Sequence, residues 1–238
     1  MQLHVIARAR NGYKEKFGIP RQSGCATAVL TRIVFEPDYR NPDMLRGIDE
    51  FSHLWLLWGF HANQPTTTTP TISNNSQQSF SPTVRPPRLG GNKRIGVLAT
   101  RSPFRPNPIG LSSVKLERIE KTSEGTVLWV SGADLMDSTP IYDIKPYIPY
   151  TDVHPDATGG FANSGHDYTV EVEIPEHIKN QLSPKLINEL EQILSENPRP
   201  AYHKDKRVYG MRYEDLNVHF IVIDSKIEVL SVEYCSTV

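Results

Sequence analysis

The sequence has few cysteines, no long apolar run and almost no net charge, and each of these features excludes a class of protein. Its two cysteines, Cys25 and Cys235, have neither the spacing of a metal site nor the number needed for a disulfide framework. The longest apolar run, LWLLWGF at 54–60, is far shorter than the roughly 20 residues that span a membrane. The opening MQLHVIARAR lacks the arrangement of a signal peptide. We therefore expect a cytoplasmic protein with reduced thiols.

Charge is balanced over the whole chain but not along it. The formal net charge of −1 argues mildly against a nucleic-acid partner, since such proteins often carry a basic excess. Location matters more than the sum, because a local positive surface attracts phosphates even on a neutral protein. One stretch of the chain carries six basic residues and no acidic one: Arg85, Arg88, Lys93, Arg94, Arg101 and Arg105.

The residue pattern up to about position 150 is typical of short strands separated by turns. The segments CATAVLTRIVFE, LWLLWGF, RIGVLAT, LSSVKLERIEKT and TVLWVSGADL are rich in β-branched or alternating apolar residues. A short helix is expected over 41–51, where Asn41 can cap and Pro42 suits the first helical position. No long helix separates the strands, which argues against a doubly wound sheet. We predict a mainly β fold with an antiparallel, barrel-like or sandwich domain over 1–150.

The character of the chain changes after a linker at 152–165 that is rich in Gly, Pro and Asp. A strand over 168–174 precedes an amphipathic helix that Ser183 can cap and Pro184 can begin. Residues 217–224 and 226–233 then form a closing hairpin pattern, so we predict a small α+β domain over 151–238. Within the first domain, the Thr- and Ser-rich residues 63–81 have the composition of a solvated loop, although a role as a lid stays open.

Residues 83–110, TVRPPRLGGNKRIGVLATRSPFRPNPIG, combine rigid Pro, permissive Gly and repeated Arg. A protein that aims several guanidinium groups into one cleft needs such a rigid frame. Arginine's planar fork suits a phosphate or a carboxylate and can stack on a base. The segment therefore favours a binding site for an anionic ligand over the alternative of a surface with scattered, solvated arginines.

Two further segments carry clustered polar side chains. Asp134 and Asp137 could coordinate a metal, act as acid and base, accept hydrogen bonds from ribose hydroxyls, or belong to an ordinary turn. In YDIKPY the side chains of Asp143, Lys145 and Tyr147 share one face of a strand, either as a catalytic group or as an exposed ion pair. Phosphate-loop, dinucleotide and zinc motifs are absent, so no metal site is predicted.

Several long motifs succeed one another along the chain: YKEKFGIPRQ, LRGIDEFSHLWLLWGFH, RPPRLGGNKRIGVLATRSPFRPNPIGLS, DLMDSTPIYDIKPY and ENPRPAY. In this order they resemble the TsaA-like (TrmO) family, which includes tRNA N6-threonylcarbamoyladenosine N6-methyltransferases. The resemblance covers nearly the whole chain. It implies an N-terminal β-barrel that binds S-adenosyl-L-methionine, a small C-terminal domain, a homodimer, and methylation of N6 of threonylcarbamoyladenosine next to the anticodon of tRNA.

The resemblance also implies which residues contact the cofactor. The matching positions are Pro20, Arg21, Gln22, His61, Ala62, Arg101, Leu111, Asp134, Leu135, Met136 and Asp137. The family often has Val where this chain has Met136, an apolar change that should matter little. The insertion at 63–81 is longer than usual and directly follows His61 and Ala62.

For the substrate, the threonylcarbamoyl carboxylate calls for a cation, which we expect to be Arg105 or Lys145. Asp143 or Tyr147 could accept the N6 proton, directly or through water. The expected substrate-binding residues are Arg85, Arg88, Arg94, Arg105 and Asn107. RNA phosphates are expected to contact, in addition, Lys93, Arg199, Lys204, Lys206 and Arg207.

Two other functions stay open at this point. The same scaffold could methylate another RNA base or a small molecule, or it could bind S-adenosylmethionine or RNA without catalysis. A metal-dependent hydrolase is a third and more distant alternative, because the carboxylates have no His partner at ligand spacing.

Overall fold

The computed structural model describes residues 2–62, 81–86, 89, 92–163, 169–199 and 207–235. Six antiparallel strands close a barrel in the order β1-β2-β7-β6-β3-β8. Their bounds are β1 Ala7–Arg10, β2 Leu30–Phe35, β3 His53–Gly59, β6 Ile109–Thr122, β7 Gly125–Ser131 and β8 Pro140–Pro146. A short ribbon of β4 Thr83–Val84 and β5 Ile95–Gly96 lies between β3 and β6 in the chain. The predicted mainly β fold is confirmed.

Strand β3 shows how alternation produces the barrel core. Leu54 and Leu56 are fully buried inside the barrel, and Trp58 is 7% exposed, whereas the intervening Trp55 and Leu57 face outward. Gly110 lies opposite Trp58, where a Cβ would come within 2.3 Å of the indole ring. The close approach of β6 to this ring therefore depends on glycine.

The C-terminal unit is a four-stranded sheet in the order β10-β11-β12-β9, in which β9 and β12 are parallel. It carries helix α3, which begins at Pro184 after the Ser183 cap, whose hydroxyl accepts the Leu186 N–H at 3.3 Å. The predicted capped helix and closing hairpin are both confirmed. The bounds are β9 Glu171–Glu173, α2 Glu176–Lys179, α3 Pro184–Ser195, β10 Tyr209–Tyr213, β11 Leu216–Ile223 and β12 Lys226–Tyr234, and a short helix α1 Pro149–Asp152 precedes this unit.

Three local predictions were wrong in detail. The expected helix over 41–51 is two 3-10 turns, because Gly47 between them adopts a left-handed φ of 81°. The strand expected over 25–36 begins only at Leu30, after a turn in which Ala26 has a φ of 46°. The strand expected over 94–100 is limited to β5, since Val97–Ala99 form a 3-10 turn.

Residues 11–29, which join β1 to β2, pack on the C-terminal unit rather than inside the barrel. Tyr13, Ala26 and Val29 belong to the hydrophobic core formed by α3 and strands β10 to β12. The barrel has a separate core around Ile33, Leu56 and other buried residues of its strands. Among the described residues, no helix is long and apolar enough to cross a membrane.

Candidate functional site

A hydrogen bond joins two segments that are expected to contact the same ligand. The Arg101 guanidinium donates to the Gln22 side-chain oxygen at 2.5 Å, across 79 positions of the chain. Gln22 is half-buried in the 11–29 segment, and Arg101 is exposed just after β5 and its 3-10 turn. Of the neighbours of Gln22, Arg21 is exposed and Pro20 is buried. The two motifs therefore meet at a place that a ligand can reach.

Asp134 lies close to this pair, at the rim of the barrel after β7. The Ser112 hydroxyl donates to its carboxylate at 2.5 Å and accepts from the Trp58 indole N–H at 2.9 Å. Burial raises the pKa of the Asp134 carboxyl, while the Ser112 hydrogen bond and the Arg101 charge oppose that rise. The arrangement suits a ligand that offers donors to a carboxylate and an anionic group to a guanidinium.

The loop at 134–137 is fixed by the 11–29 segment. The Asn11 backbone N–H donates to the Asp137 carboxylate at 3.1 Å, and its side chain donates to the Leu135 carbonyl at 2.9 Å. The Asp137 N–H donates to the Tyr13 carbonyl at 2.9 Å. Leu135 is fully buried and Met136 half-buried, so the Leu135 side chain anchors the loop in the barrel core. Sequence reasoning missed Asn11, because a lone asparagine after a strand is typical of an ordinary turn.

His61 lies close to the residues that directly follow the 134–137 loop. Its Nδ1 is 3.4 Å from the Thr139 hydroxyl. Desolvation and the nearby Arg8 charge lower the pKa of His61, against smaller opposing effects of a backbone hydrogen bond with Gly59 and of the Asp137 charge. Ala62 is exposed to an intermediate degree beside it.

Three cations around the turn at 137–138 were not singled out from the sequence. Arg8 donates to the Ser138 carbonyl at 3.3 Å, and Arg10 donates to the Ser138 hydroxyl at 2.6 Å. The Lys14 ammonium lies 3.6 Å from the Asp137 carboxylate. For Arg8 and Arg10 the signal in the sequence is the alternation of Ala and Arg in ARAR, which places both arginines on the outer face of β1.

The Leu111 side chain does not lie beside Asp134. It is 55% exposed on the outer face of β6, in register with Leu57 and, one strand further, Asp143. The adjacent Ser112 points to the inner side and bonds Asp134. Within one chain, Leu111 and Asp143 thus share a face that Asp134 does not.

The three residues expected to act in catalysis lie together on this outer face. The Lys145 ammonium is 2.8 Å from the Asp143 carboxylate, with side chains 62% and 44% exposed. The Tyr147 ring packs against Trp55 with 5.4 Å between ring centroids. The Asp143 carboxylate and the Lys145 ammonium are therefore paired and accessible to solvent, while Tyr147 is half-buried beside Trp55.

The residues expected to bind substrate are spread along the segment before β6. Arg105 donates to the Thr100 carbonyl at 3.2 Å, next to Arg101, whereas Arg94 donates to the Thr83 hydroxyl at 2.8 Å. Arg85 and Asn107 are exposed. Some positions named from the sequence lie outside the described residues: Arg88, Lys204, Lys206 and residues 63–80 of the inserted loop.

Comparisons with known proteins agree with the motifs. The profile of the tRNA-methyltransferase O N-terminal domain matches residues 8–153, and that of the TrmO C-terminal domain matches residues 167–234. The tRNA (adenine(37)-N6)-methyltransferase of Escherichia coli K12 is 37% identical over 241 residues, covering 98% of this chain and 97% of the relative. RcsF of Pseudomonas aeruginosa, named as an S-adenosylmethionine-dependent methyltransferase, is 40% identical over 90% of each chain. The crystal structure of TrmO from Pseudomonas aeruginosa has a TM-score of 0.74 at 33% identity and covers 98% of both chains. This chain belongs to the tRNA-methyltransferase O family.

Proposed function

We propose that this chain is an S-adenosylmethionine-dependent tRNA methyltransferase that methylates N6 of threonylcarbamoyladenosine next to the anticodon. Family membership supports the reaction class. The observation that supports the site is the hydrogen bond between Gln22 and Arg101, because it joins two separate motifs that are both expected to contact the cofactor. The finer choice of the threonylcarbamoyl substrate rests on the motif resemblance.

The side chains at this place fit the polar groups of S-adenosylmethionine. The Arg101 guanidinium suits its carboxylate, and the Asp134 carboxyl suits donors such as ribose hydroxyls or the amino group. The Gln22 amide offers both a donor and an acceptor. When bound, S-adenosylmethionine supplies an electrophilic methyl group on a sulfonium.

The protein's own contribution to the reaction is to position the adenosine and to move one proton. Holding the N6 nitrogen in line with the methyl group supplies much of the rate. Asp143 or Tyr147 accepts the N6 proton, directly or through water. Arg105 or Lys145 holds the threonylcarbamoyl carboxylate; Arg105 has the position nearer to Arg101, and Lys145 has the position nearer to Asp143.

Exposed cations such as Arg85 and Arg94, together with Arg8 and Arg10, contact tRNA phosphates. The chain works in the cytoplasm as a homodimer, in which a second copy covers the exposed apolar side chains of Ile109 and Leu111. Residues 1–150 form the cofactor-binding domain, and residues 151–238 form the second domain.

A methyl-transfer assay tests this function. Purified protein and isotope-labelled S-adenosylmethionine are incubated with tRNA made with and without the threonylcarbamoyl group, and the nucleosides are then resolved. Label in N6-methyl-threonylcarbamoyladenosine, and only with the modified tRNA, is expected. Label in unmodified tRNA would point to another base, and cofactor binding without label in either tRNA would point to a non-catalytic binding protein.

A further inference from the structure

Residues 11–29, which we name the cofactor arm, contain the expected cofactor residues Pro20, Arg21 and Gln22. The barrel supplies the two ends of this arm through β1 and β2. Its apolar side chains, however, are buried in the core of the C-terminal unit. The shape of one wall of the cofactor site is therefore set by residues that lie more than 140 positions further along the chain.

Aromatic packing holds the middle of the arm. Phe17 stacks on Tyr209 at 6.1 Å and on Phe220 at 6.2 Å, both rings of the C-terminal sheet. The adjacent Gly18 has a φ of 94°, and a Cβ there would come within 2.3 Å of the Met211 sulfur. The arm thus turns tightly against the sheet just before Pro20.

Around Pro20 and Arg21, the contact between the arm and α3 is incomplete. A cavity of about 140 Å³ separates them, lined by Pro20, Arg21, Ile193, Pro198 and neighbouring residues. Apolar packing around Ala26 and Val29 therefore does not extend over this part of the arm, because atoms that face each other across a cavity are out of van der Waals range. Hydrogen bonds add to the apolar packing in holding the arm against α3 and its end.

Two hydrogen bonds connect the arm to α3 and its end on either side of Gln22. The Arg21 guanidinium donates to the Arg199 carbonyl at 3.0 Å. The Ala28 backbone N–H donates to the Gln192 side-chain oxygen at 2.8 Å. The acceptor of the second bond is the Gln192 side chain in α3. A substitution at Gln192 can therefore remove this bond without changing any residue of the arm.

We propose that the C-terminal unit is a positioning element of the cofactor site, and that Gln192 is a positioning residue that holds the arm in its binding conformation. Gln192 does this without touching the cofactor. The inference rests on the proposed function, since it takes the arm to be a wall of the S-adenosylmethionine site. Losing the Ala28 bond removes one of the two hydrogen bonds that hold the arm against α3 and its end, so cofactor affinity falls while tRNA contacts stay intact.

The test uses three substitutions in the full-length protein. Gln192→Met keeps length and helix propensity but removes the acceptor, whereas Gln192→Glu keeps an oxygen acceptor for the same N–H. Gln181→Met is the matched control, because the Gln181 side chain bonds the His177 carbonyl within the same unit, away from the arm. For each variant, the dissociation constant of S-adenosylmethionine is measured by calorimetry, together with KM for tRNA and the melting temperature.

Q192M is expected to raise the dissociation constant by about 3- to 10-fold, the range of one lost hydrogen bond. Q192E should restore it, Q181M should leave it unchanged, and KM for tRNA should stay the same in all three. A folded Q192M that binds S-adenosylmethionine like the wild type overturns the inference alone. Wild-type protein that binds no S-adenosylmethionine overturns the proposed function, and this inference with it.

A second variant covers the case in which Q192M does not fold. Phe17→Leu removes the aromatic stacking on the C-terminal sheet but keeps an apolar side chain in the arm. It should weaken S-adenosylmethionine binding to a similar extent. A folded F17L with wild-type affinity would show that aromatic packing on the C-terminal sheet does not position the arm, and it would overturn the inference for this contact.

Discussion

The Ser112 hydroxyl donates a hydrogen bond of 2.5 Å to the Asp134 carboxylate at the rim of the barrel. Burial nevertheless raises the pKa of Asp134 above its ordinary value of about 3.9. A carboxyl whose pKa is raised by folding stabilises the fold at low pH and loses that contribution as the pH rises through its folded pKa.

We expect Asp134→Asn to melt at a higher temperature than the wild type at pH 7, because the amide carries no buried charge. The difference should shrink as the pH falls toward 4, and S-adenosylmethionine binding should weaken at every pH. Thermal melts across this range check it. Asp152→Asn is the opposite control: the Ile148 N–H and the Trp55 indole lower the pKa of Asp152, so this variant should be less stable than the wild type at pH 7.

Arg101 is exposed, so its replacement should leave the fold intact while removing the partner of Gln22. Arg101→Ala is expected to weaken S-adenosylmethionine binding by about 10-fold or more, the scale of a charge-assisted hydrogen bond. Arg46→Ala is the control, since Arg46 is an exposed arginine paired with Asp43. Equal affinities for the two variants, measured by calorimetry, would remove Arg101 from the site.

Substitution of Asp143, which pairs with Lys145 on the outer face of the barrel, should affect kcat but not the stability of the fold. Both side chains are substantially exposed, so breaking their ion pair should change the free energy of unfolding by less than about 1 kcal/mol. Asp143→Asn should lower kcat by about 100-fold or more without changing S-adenosylmethionine affinity. Single-turnover measurements on modified tRNA check this, and wild-type turnover would exclude Asp143 as the proton acceptor.

The buried pair of Tyr13 and Tyr213 offers a matched test of hydrogen bonding. The Tyr213 hydroxyl donates to Glu189 at 3.0 Å, whereas the Tyr13 hydroxyl is buried without a hydrogen-bond partner among the described residues. Tyr213→Phe should lower the free energy of unfolding by about 1–3 kcal/mol, because it leaves a buried carboxyl without this donor. Tyr13→Phe should leave it unchanged or raise it. Urea denaturation of both variants measures this difference. Equal decreases in the free energy of unfolding would contradict the assignment of the hydrogen bond to Tyr213 alone.

Phosphate contacts predict a salt dependence of tRNA binding. The logarithm of the affinity should fall linearly with the logarithm of the salt concentration. Arg94→Ala should reduce that slope by about 1 if Arg94 contacts one phosphate. A filter-binding titration at several salt concentrations checks this, and an affinity independent of salt would contradict the proposed RNA surface.

Much of the fold could be predicted from local pattern. The alternation of Leu54, Leu56 and Trp58 predicted a strand with one buried face, and Ser183 before Pro184 predicted the start of α3. The predictions over 25–36 and 41–51 were less accurate, because Ala26 and Gly47 take left-handed conformations that composition alone does not reveal. The motifs themselves were sufficient to indicate the family.

The sequence by itself determined which residue types the site contains, since PRQ, ATRS and DLMD are contiguous and specific. Only the tertiary structure decided that Gln22 meets Arg101, that Asn11 fixes the 134–137 loop, and that Leu111 faces away from Asp134. It also decided that the cofactor arm packs on the C-terminal unit. The physical reason is range: strand and helix patterns reflect neighbours a few residues apart, whereas these contacts depend on how separate elements pack together.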